Sequence, residues 1–219
     1  MRRRAPVTTT ILILIAAVFG YEVLDHQAWT NTNELVRLGA LVPWSMMDGE
    51  YWRLLTAMFL HGGWLHWAAN SWALYQLGTL YEVLFGSKRF ALVYFVSGLC
   101  ASLASAFHID SAGVGASGAV FGLLGAFIFS IWRHPQYRHQ PWTKGLLGQI
   151  VFWTVLNLYI GFQFPFIDNV AHIGGLIAGL FLGLLPHRVP PPPPGSTTID
   201  VHPNDEGRTY EPPHRSFPE

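Results

Sequence analysis

Six apolar stretches separated by polar connections run through this 219-residue chain and constrain its fold more than any other feature. A helix needs about 20 residues to cross the apolar core of a bilayer, and each stretch has or approaches that length. Inside lipid every backbone polar group must be paired, which favours helices for such segments. The sequence therefore predicts an all-α polytopic membrane protein with six transmembrane helices. The six stretches cover approximately residues 7–24, 64–85, 90–107, 115–132, 146–164 and 169–185.

The composition is that of a protein whose surface lies largely in lipid. Hydrophobic residues make up 51% of the chain and charged residues only 12%. Soluble domains carry about a quarter charged residues. The 9 Trp and 15 Phe suit a surface that meets lipid and the membrane interface. The formal net charge of zero gives no reason to expect a nucleic-acid partner.

Cys100 is the single cysteine, and it lies inside an apolar stretch. One cysteine cannot form a disulfide within the chain, and the sequence has no Cys/His spacing typical of a metal site. We therefore expect no metal site of this kind, and interpret Cys100 as a small buried hydrophobic residue.

Lysine and arginine are concentrated in every second connection between the predicted spans. Only Arg37 and Arg53 fall in the other connections. Because cytoplasmic connections are rich in these residues, the pattern predicts that both termini lie in the cytoplasm, which requires an even number of spans. A cleaved signal peptide is the competing interpretation of the first stretch, but no clear small-x-small cleavage site follows it. The concentrated residues are Arg2, Arg3, Arg4, Lys88, Arg89, Arg133, Arg138, Lys144, Arg188, Arg208 and Arg215.

Two segments outside the spans set the domain organisation. The connection of residues 25–63 is long, rich in Trp, Leu and Met and interspersed with charge, which predicts short amphipathic helices in the membrane interface. Residues 187–219 are rich in proline and polar residues, which predicts a disordered cytoplasmic tail. The predicted organisation is a cytoplasmic N-terminus (1–6), a six-helix domain (7–186) and this tail.

Four polar residues inside the predicted spans are functional candidates, because such groups are costly in lipid. They are His66 and Asn70 in the second span, Ser117 at the start of the fourth and His172 near the start of the sixth. His66 and Asn70 are four residues apart and share one helix face, so their donors can point at one oxygen atom. The alternative is that they only bond neighbouring helices.

Ser117 and His172 are residue types that can act as a nucleophile and its general base. Ser117 starts its span, where free backbone N–H groups and the helix dipole can stabilise an oxyanion. Taken singly, Ser117 is better explained as a helix N-cap, and His172 can equally be a buried hydrogen-bond donor. The predicted topology places the starts of spans two, four and six on one outer side. Recurrent glycines in spans four and six permit close helix approach; they are Gly118, Gly122, Gly125, Gly175, Gly179 and Gly183.

Three sequence blocks resemble the signature motifs of the rhomboid proteases, in the order and on the spans that this family requires. The blocks are HGGWLHWAANSWALYQLGTLYE, GASGAVFGLLGA and AHIGGLIAG, which carry HxxxN, GxSG and AHxxG. The resemblance extends from about Val7 to Pro186. It implies that Ser117 is the nucleophile and His172 the general base. It also implies that the His66 and Asn70 side chains form the oxyanion hole with the Ser117 amide.

The resemblance implies supporting roles for further residues. Trp52 and Arg53 would anchor the first external connection, and Glu82 would be a structural hydrogen-bonding group. Phe121 would place an aromatic ring against the catalytic histidine. Asp168 lies one turn before that histidine, where it either orients the imidazole ring or caps the sixth helix, and we favour the cap.

The implied function is that of an intramembrane serine endopeptidase, which cleaves transmembrane protein substrates in the bilayer near its outer face and needs no cofactor. The implied location is the plasma membrane of a bacterium or archaeon. A catalytically inactive rhomboid-like binder of membrane clients is one alternative, disfavoured because Ser117 and His172 are both present. A small-solute transporter is another, which predicts polar residues near mid-span. The substrate, its cleavage site and the oligomeric state do not follow from the sequence.

Overall fold

The computed structural model describes residues 4–25, 30–44, 46–108, 112–164 and 166–186. In this part of the chain the regular elements are helical, and β-type pairing is confined to an isolated bridge between Leu41 and Gly113. The predicted all-α class is therefore confirmed. The helices are α1 (Pro6–Leu24), α2 (Thr32–Leu38), α3 (Arg53–Thr56), α4 (Trp64–Ala73), α5 (Thr79–Phe85), α6 (Ser87–Ala106), α7 (Ser117–Arg133), α8 (Pro135–Arg138), α9 (Pro141–Gln163) and α10 (Asn169–Leu184).

Helices of transmembrane length and composition account for part of the six predicted spans. Among the described residues, α1, α6 and α9 are long and apolar enough to cross a bilayer. α7 and α10 are apolar but shorter, with 17 and 16 residues. A π-helical turn, Leu74–Gly78, joins α4 to α5, so residues 64–85 are helical throughout. The number of crossings and the domain boundaries stay predictions, and the proline-rich tail lies outside the described residues.

The π-helical turn lets both halves of this joined helix present polar residues to the protein interior. Asn70 in α4 and Glu82 in α5 are both buried. An ideal α-helix would rotate residues at this spacing about a third of a turn apart. The π-helical turn holds more residues per turn and reduces that offset. Asn70 can therefore face the start of α7 while Glu82 faces α1.

Arg53 organises the described part of the connection between α1 and α4. Its guanidinium donates to the carbonyls of Val36 and Ala40 at 2.6 and 3.0 Å and to the Glu50 carboxylate at 2.6 Å. It also lies over the Trp52 ring, 4.4 Å from the centroid, in a cation–π contact. α2 and α3 are thereby tied together, in agreement with the structural role implied for this residue pair. The placement of the connection in the membrane interface stays a prediction.

α7 lies at the centre of the bundle and packs against α6 and α10. Its residues from Gly118 to Phe127 are all buried. The contact with α10 joins two backbones: a Cβ atom on Gly175 would lie 2.0 Å from the Gly118 carbonyl oxygen, and one on Gly179 would lie 1.9 Å from that of Gly122. Lipid tails give helices little hydrophobic reason to associate, so van der Waals packing at this distance is a main source of their attraction.

Buried charged side chains join the helices at the end of the bundle opposite Ser117. Glu82 of α5 accepts hydrogen bonds from the backbone N–H groups of Val7 and Thr8 at 3.0 and 2.8 Å, and from the Thr8 hydroxyl at 2.7 Å. Arg89 of α6 donates to two carbonyl groups in the last turn of α10, at 2.6 and 3.2 Å. The Glu82 bonds satisfy N–H groups at the start of α1 that have no partner inside that helix, and the Arg89 bonds give carbonyl groups in the last turn of α10 a charged donor. Glu82 thus has the structural role implied for it.

Cys100 does not occupy the protein core, so the prediction that it is buried was wrong. Its side chain is exposed on α6. A small apolar residue needs only to avoid water, and the lipid-facing surface of a membrane helix meets that need as well as the core does.

Gly179→Ala is expected to lower the stability of the bundle, because the added methyl group would overlap the α7 backbone. Overpacking of this kind costs about 1–3 kcal/mol or more. Gly148→Ala is the matched control, since a Cβ atom there would have no neighbour within 4 Å. It should leave stability unchanged or raise it by up to about 1 kcal/mol. Unfolding midpoints in detergent micelles measure both; equal midpoints would contradict the close α7–α10 contact.

Candidate active site

Ser117 and His172 are hydrogen-bonded to each other. His172 Nε2 lies 2.9 Å from Ser117 Oγ, although the two residues are 55 positions apart in the chain. Ser117 is the first residue of α7, and His172 lies in the first turn of α10. The glycine contacts between these helices bring both side chains to the same end of the bundle. A hydroxyl at this distance from an imidazole nitrogen can transfer its proton when it attacks an electrophile.

The imidazole ring of His172 is held by stacking. The Phe121 ring lies parallel to it, with the planes 9° apart and the centroids separated by 4.2 Å. His172 is only 8% exposed. For Nε2 to accept the Ser117 hydroxyl proton, the neutral ring must carry its hydrogen on Nδ1. Nδ1 is buried and has no hydrogen-bond partner in the described part of the chain. Packing therefore orients this ring.

The Asp168 carboxylate caps α10, and its hydrogen-bond partners do not include the His172 ring. One of its carboxylate oxygens accepts the backbone N–H of Ala171 at 2.9 Å, and the other accepts the Ser105 hydroxyl of α6. A side chain that accepts from the third residue after it is a helix N-cap. The favoured interpretation of Asp168 from the sequence agrees with this geometry, and the arrangement is a serine–histidine pair.

His66 and Asn70 flank the backbone just before Ser117. Gly115 has a φ of +122°, and a Cβ atom there would lie 2.6 Å from His66 Nε2 and 3.6 Å from Asn70 Nδ2. Asn70 Nδ2 donates one hydrogen to the His66 carbonyl at 3.0 Å, which leaves its second hydrogen for another acceptor. The Ser117 N–H, at the start of α7, has no partner within that helix. The His66 and Asn70 side chains therefore lie beside the segment that leads into Ser117, and His172 contacts Ser117 itself.

A small cavity adjoins the nucleophile. Its volume is about 40 Å³, and Ser117, Gly118, Ser105 and Asp168 contribute to its wall. One ordered water needs about 10–15 Å³ of such volume and two or more polar partners. The cavity is large enough to hold water beside Ser117, and the hydroxyl and carboxylate groups in its wall are suitable partners.

Two buried residues beside the site, Glu22 and His61, were not singled out from the sequence. Both are 0% exposed. Glu22 lies on α1, and its two carboxylate oxygens are 3.1 and 3.3 Å from the His61 backbone nitrogen. The His61 ring centroid lies 5.1 Å from that of His66. A signal for Glu22 was available, because it is an ionisable residue within an apolar stretch.

His61 is electrically neutral at physiological pH. It precedes α4, and burial lowers the pKa of its imidazole to about 3, with the nearby His66 ring acting in the same direction. Nδ1 lies 3.2 Å from the Phe59 carbonyl oxygen, which can only accept, so Nδ1 carries the hydrogen. A neutral ring in this position adds no positive charge behind the candidate oxyanion-binding residues.

Comparisons with known proteins agree with the resemblance that the sequence motifs indicated. A family model described as a Rhomboid domain matches residues 48–189. Rhomboid protease GluP from Bacillus subtilis (strain 168) is 37% identical over 175 residues, covering 80% of this chain and 34% of GluP. RHOMBOID-like protein 5 from Arabidopsis thaliana is 43% identical over 155 residues, covering 69% of this chain and 49% of that protein. YdcA from Bacillus subtilis (strain 168) is 32% identical over 188 residues, covering 84% of this chain and 89% of YdcA. The chain thus spans at most about half of the first two relatives and most of YdcA.

Asp168→Asn is expected to leave the reactivity of Ser117 within about threefold of wild type, because asparagine caps a helix as well as aspartate does. Asp168→Ala removes the cap and should lower the free energy of unfolding by about 1 kcal/mol. The rate at which a fluorophosphonate labels Ser117 and the unfolding midpoint measure the two effects. A loss of labelling of several hundredfold in Asp168→Asn would show instead that the carboxylate supports the histidine as a base.

Proposed function

This chain belongs to the rhomboid family, and we propose that it is a serine endopeptidase that cleaves transmembrane segments of other membrane proteins near the outer face of the plasma membrane. The observation that carries the proposal is the 2.9 Å contact between Ser117 Oγ and His172 Nε2. The Phe121 ring stacks on the imidazole ring of His172 and holds it in place. Rhomboid proteins are integral membrane proteins, and relatives such as GluP are named as proteases. Ser117 and His172 have the motif positions of the family's catalytic pair.

The proposed topology has six crossings, with both termini in the cytoplasm. Lysine and arginine are concentrated in the connections at the ends of the helices remote from Ser117. His66, Ser117 and His172 all lie in the first turn of their helices, α4, α7 and α10. This common depth favours a site that opens to water on the outer side. A solute transporter is disfavoured because its polar residues would lie near mid-span.

Acylation would begin when Ser117 Oγ attacks the carbonyl carbon of the scissile peptide bond while His172 Nε2 accepts the hydroxyl proton. The oxyanion that forms would receive hydrogen bonds from the His66 and Asn70 side chains and from the Ser117 N–H. When the C–N bond breaks, the protonated His172 gives its proton to the leaving amine. The products of this half-reaction are an amine and an acyl ester on Ser117.

Deacylation would use water in the second half-reaction. His172 takes a proton from a water molecule, which attacks the ester carbonyl, and then returns a proton to Ser117 Oγ as the acid leaves. The cavity beside Ser117 is a source for that water. The product is a carboxylic acid, and both Ser117 and His172 regain their starting protonation states.

The proposed substrates are transmembrane helices that unwind easily. A helix keeps its own carbonyl groups in hydrogen bonds, so the scissile bond must leave the helix before Ser117 can reach it. Glycine, proline and polar residues lower the cost of that local unwinding. A small residue before the scissile bond is favoured by the family resemblance and is compatible with the small cavity next to Ser117.

Ser117→Ala and His172→Ala should each abolish cleavage of a transmembrane test substrate in proteoliposomes, since loss of either member of such a pair costs several orders of magnitude in kcat. Wild-type protein should cleave the substrate, and product masses give the site of cleavage. Cleavage that both variants retain would exclude the proposed mechanism. An intact substrate in all three samples, with stable binding of substrate, would favour the inactive client-binding alternative.

His66→Ala should lower kcat by about 10²–10³ with a smaller effect on KM, because an oxyanion donor acts mainly in the transition state. Asn70→Ala should act in the same direction. The measurement is cleavage kinetics over a range of substrate mole fractions in the bilayer. A change confined to KM would show that these side chains bind substrate without stabilising the oxyanion.

A further inference from the structure

We propose that Glu22 of α1 is a positioning residue for His66, acting through His61. The inference rests on the proposed function, because it assigns His66 to the oxyanion hole. The first observation is the complete burial of the Glu22 carboxylate and its contact with the His61 backbone N–H at 3.1 and 3.3 Å. A buried carboxylate is costly without a fixed partner, and an apolar side chain would fill the same space at less cost.

The His61 side chain links this contact to His66. The His61 ring is fully buried and meets the His66 ring at 66°, with the centroids 5.1 Å apart. On its other side it meets the Phe19 ring of α1, edge to face at 6.5 Å. His61 therefore fills the space between α1 and His66. While it stays there, it blocks rotation of the His66 ring toward α1 and away from Gly115, beside which its Nε2 lies.

The same face of α1 also holds the first turn of α4. Phe19, three residues before Glu22, stacks on the Trp67 ring with the planes 9° apart and the centroids at 5.1 Å. It meets the Trp64 ring edge-on at 4.9 Å. Trp64 and Trp67 lie two positions before and one position after His66 in α4. α1 thus fixes the backbone before α4 through Glu22 and the first turn of α4 through Phe19.

Glu22 acts as a hydrogen-bond acceptor of the right shape, and its charge is not needed. The His61 N–H requires an acceptor in this buried place, whereas a negative charge near a developing oxyanion would oppose it. Glu22→Gln keeps an acceptor oxygen at the same distance from the backbone. Glu22→Leu keeps the approximate volume and removes the acceptor.

Cleavage kinetics test the acceptor role. Glu22→Leu should lower kcat by on the order of tenfold, with KM changed less than about twofold, because a displacement of under 1 Å in catalytic geometry has effects of this size. Glu22→Gln should stay within about threefold of wild type. A wild-type kcat in Glu22→Leu, or an equal loss in Glu22→Gln, would overturn the proposal.

A double-mutant cycle tests the route through His66. The residual activity of His66→Ala, measured with excess enzyme, should fall little further when Glu22→Leu is added, because residues that act through one another are not additive. Glu82→Leu is the matched control: it removes the other buried carboxylate bonded to the backbone at an end of α1, far from the site. Its effect should be the same with and without His66→Ala. Full additivity for Glu22→Leu would overturn the proposal.

Histidine NMR separates this inference from the protease assignment. In protein labelled at histidine, Glu22→Leu should shift or broaden the imidazole resonances of His66, while Glu22→Gln and Glu82→Leu should not. Unchanged His66 resonances in Glu22→Leu would refute positioning whether or not the protein cleaves a substrate. A shifted His66 in a protein that cleaves nothing would retain the positioning link and reject the proposed reaction.

Discussion

Backbone contact between α7 and α10 is the constraint on which the rest of the structure depends. Gly175 and Gly179 leave no room for a Cβ atom against the carbonyl groups of α7. This close approach lets a side chain as short as serine reach a histidine on the neighbouring helix, and Ser117 Oγ and His172 Nε2 meet at 2.9 Å. The α7–α10 contact therefore has two roles: it holds the helices together in lipid, and it gives Ser117 and His172 the geometry that the proposed proton transfer needs.

His172, the proposed catalytic base, is oriented by packing, without a hydrogen bond from its ring to a carboxylate. Phe121 holds the imidazole plane of His172, and Asp168, the nearest carboxylate in the sequence, is occupied by the helix cap and by α6. In a catalytic triad the third residue both orients the histidine and stabilises its positive charge. Here packing takes over the orientation. The packed helices α7 and α10 supply this orientation, so the proposed activity would depend on their close packing as the stability of the bundle does.

α1 packs beside the candidate site although it carries none of the four candidate residues. A buried carboxylate lies at each end of this helix. Glu82 of α5 accepts hydrogen bonds from the first turn of α1, and Glu22 in the last turn of α1 accepts one from the His61 backbone N–H. Each bond replaces water at a backbone N–H that lipid or the core would leave unpaired. The pairing at one end anchors α1 to α5, and the pairing at the other end lies directly behind His66. The buried carboxylates of Glu22 and Glu82 thus both fix the relation of α1 to its neighbours.

The sequence by itself determined the helical membrane class and singled out the four candidate site residues. Hydropathy, charge alternation and the HxxxN, GxSG and AHxxG motifs are properties of neighbouring positions along the chain, and helix geometry converts them directly into spans and faces. Tertiary structure alone decided the role of Asp168, the exposure of Cys100 and the link from Glu22 to His61, which are 39 positions apart. Such contacts depend on how each helix is rotated about its axis and on the depth at which it meets its neighbours. No local periodicity encodes either quantity, because both follow from how side chains of several helices pack together.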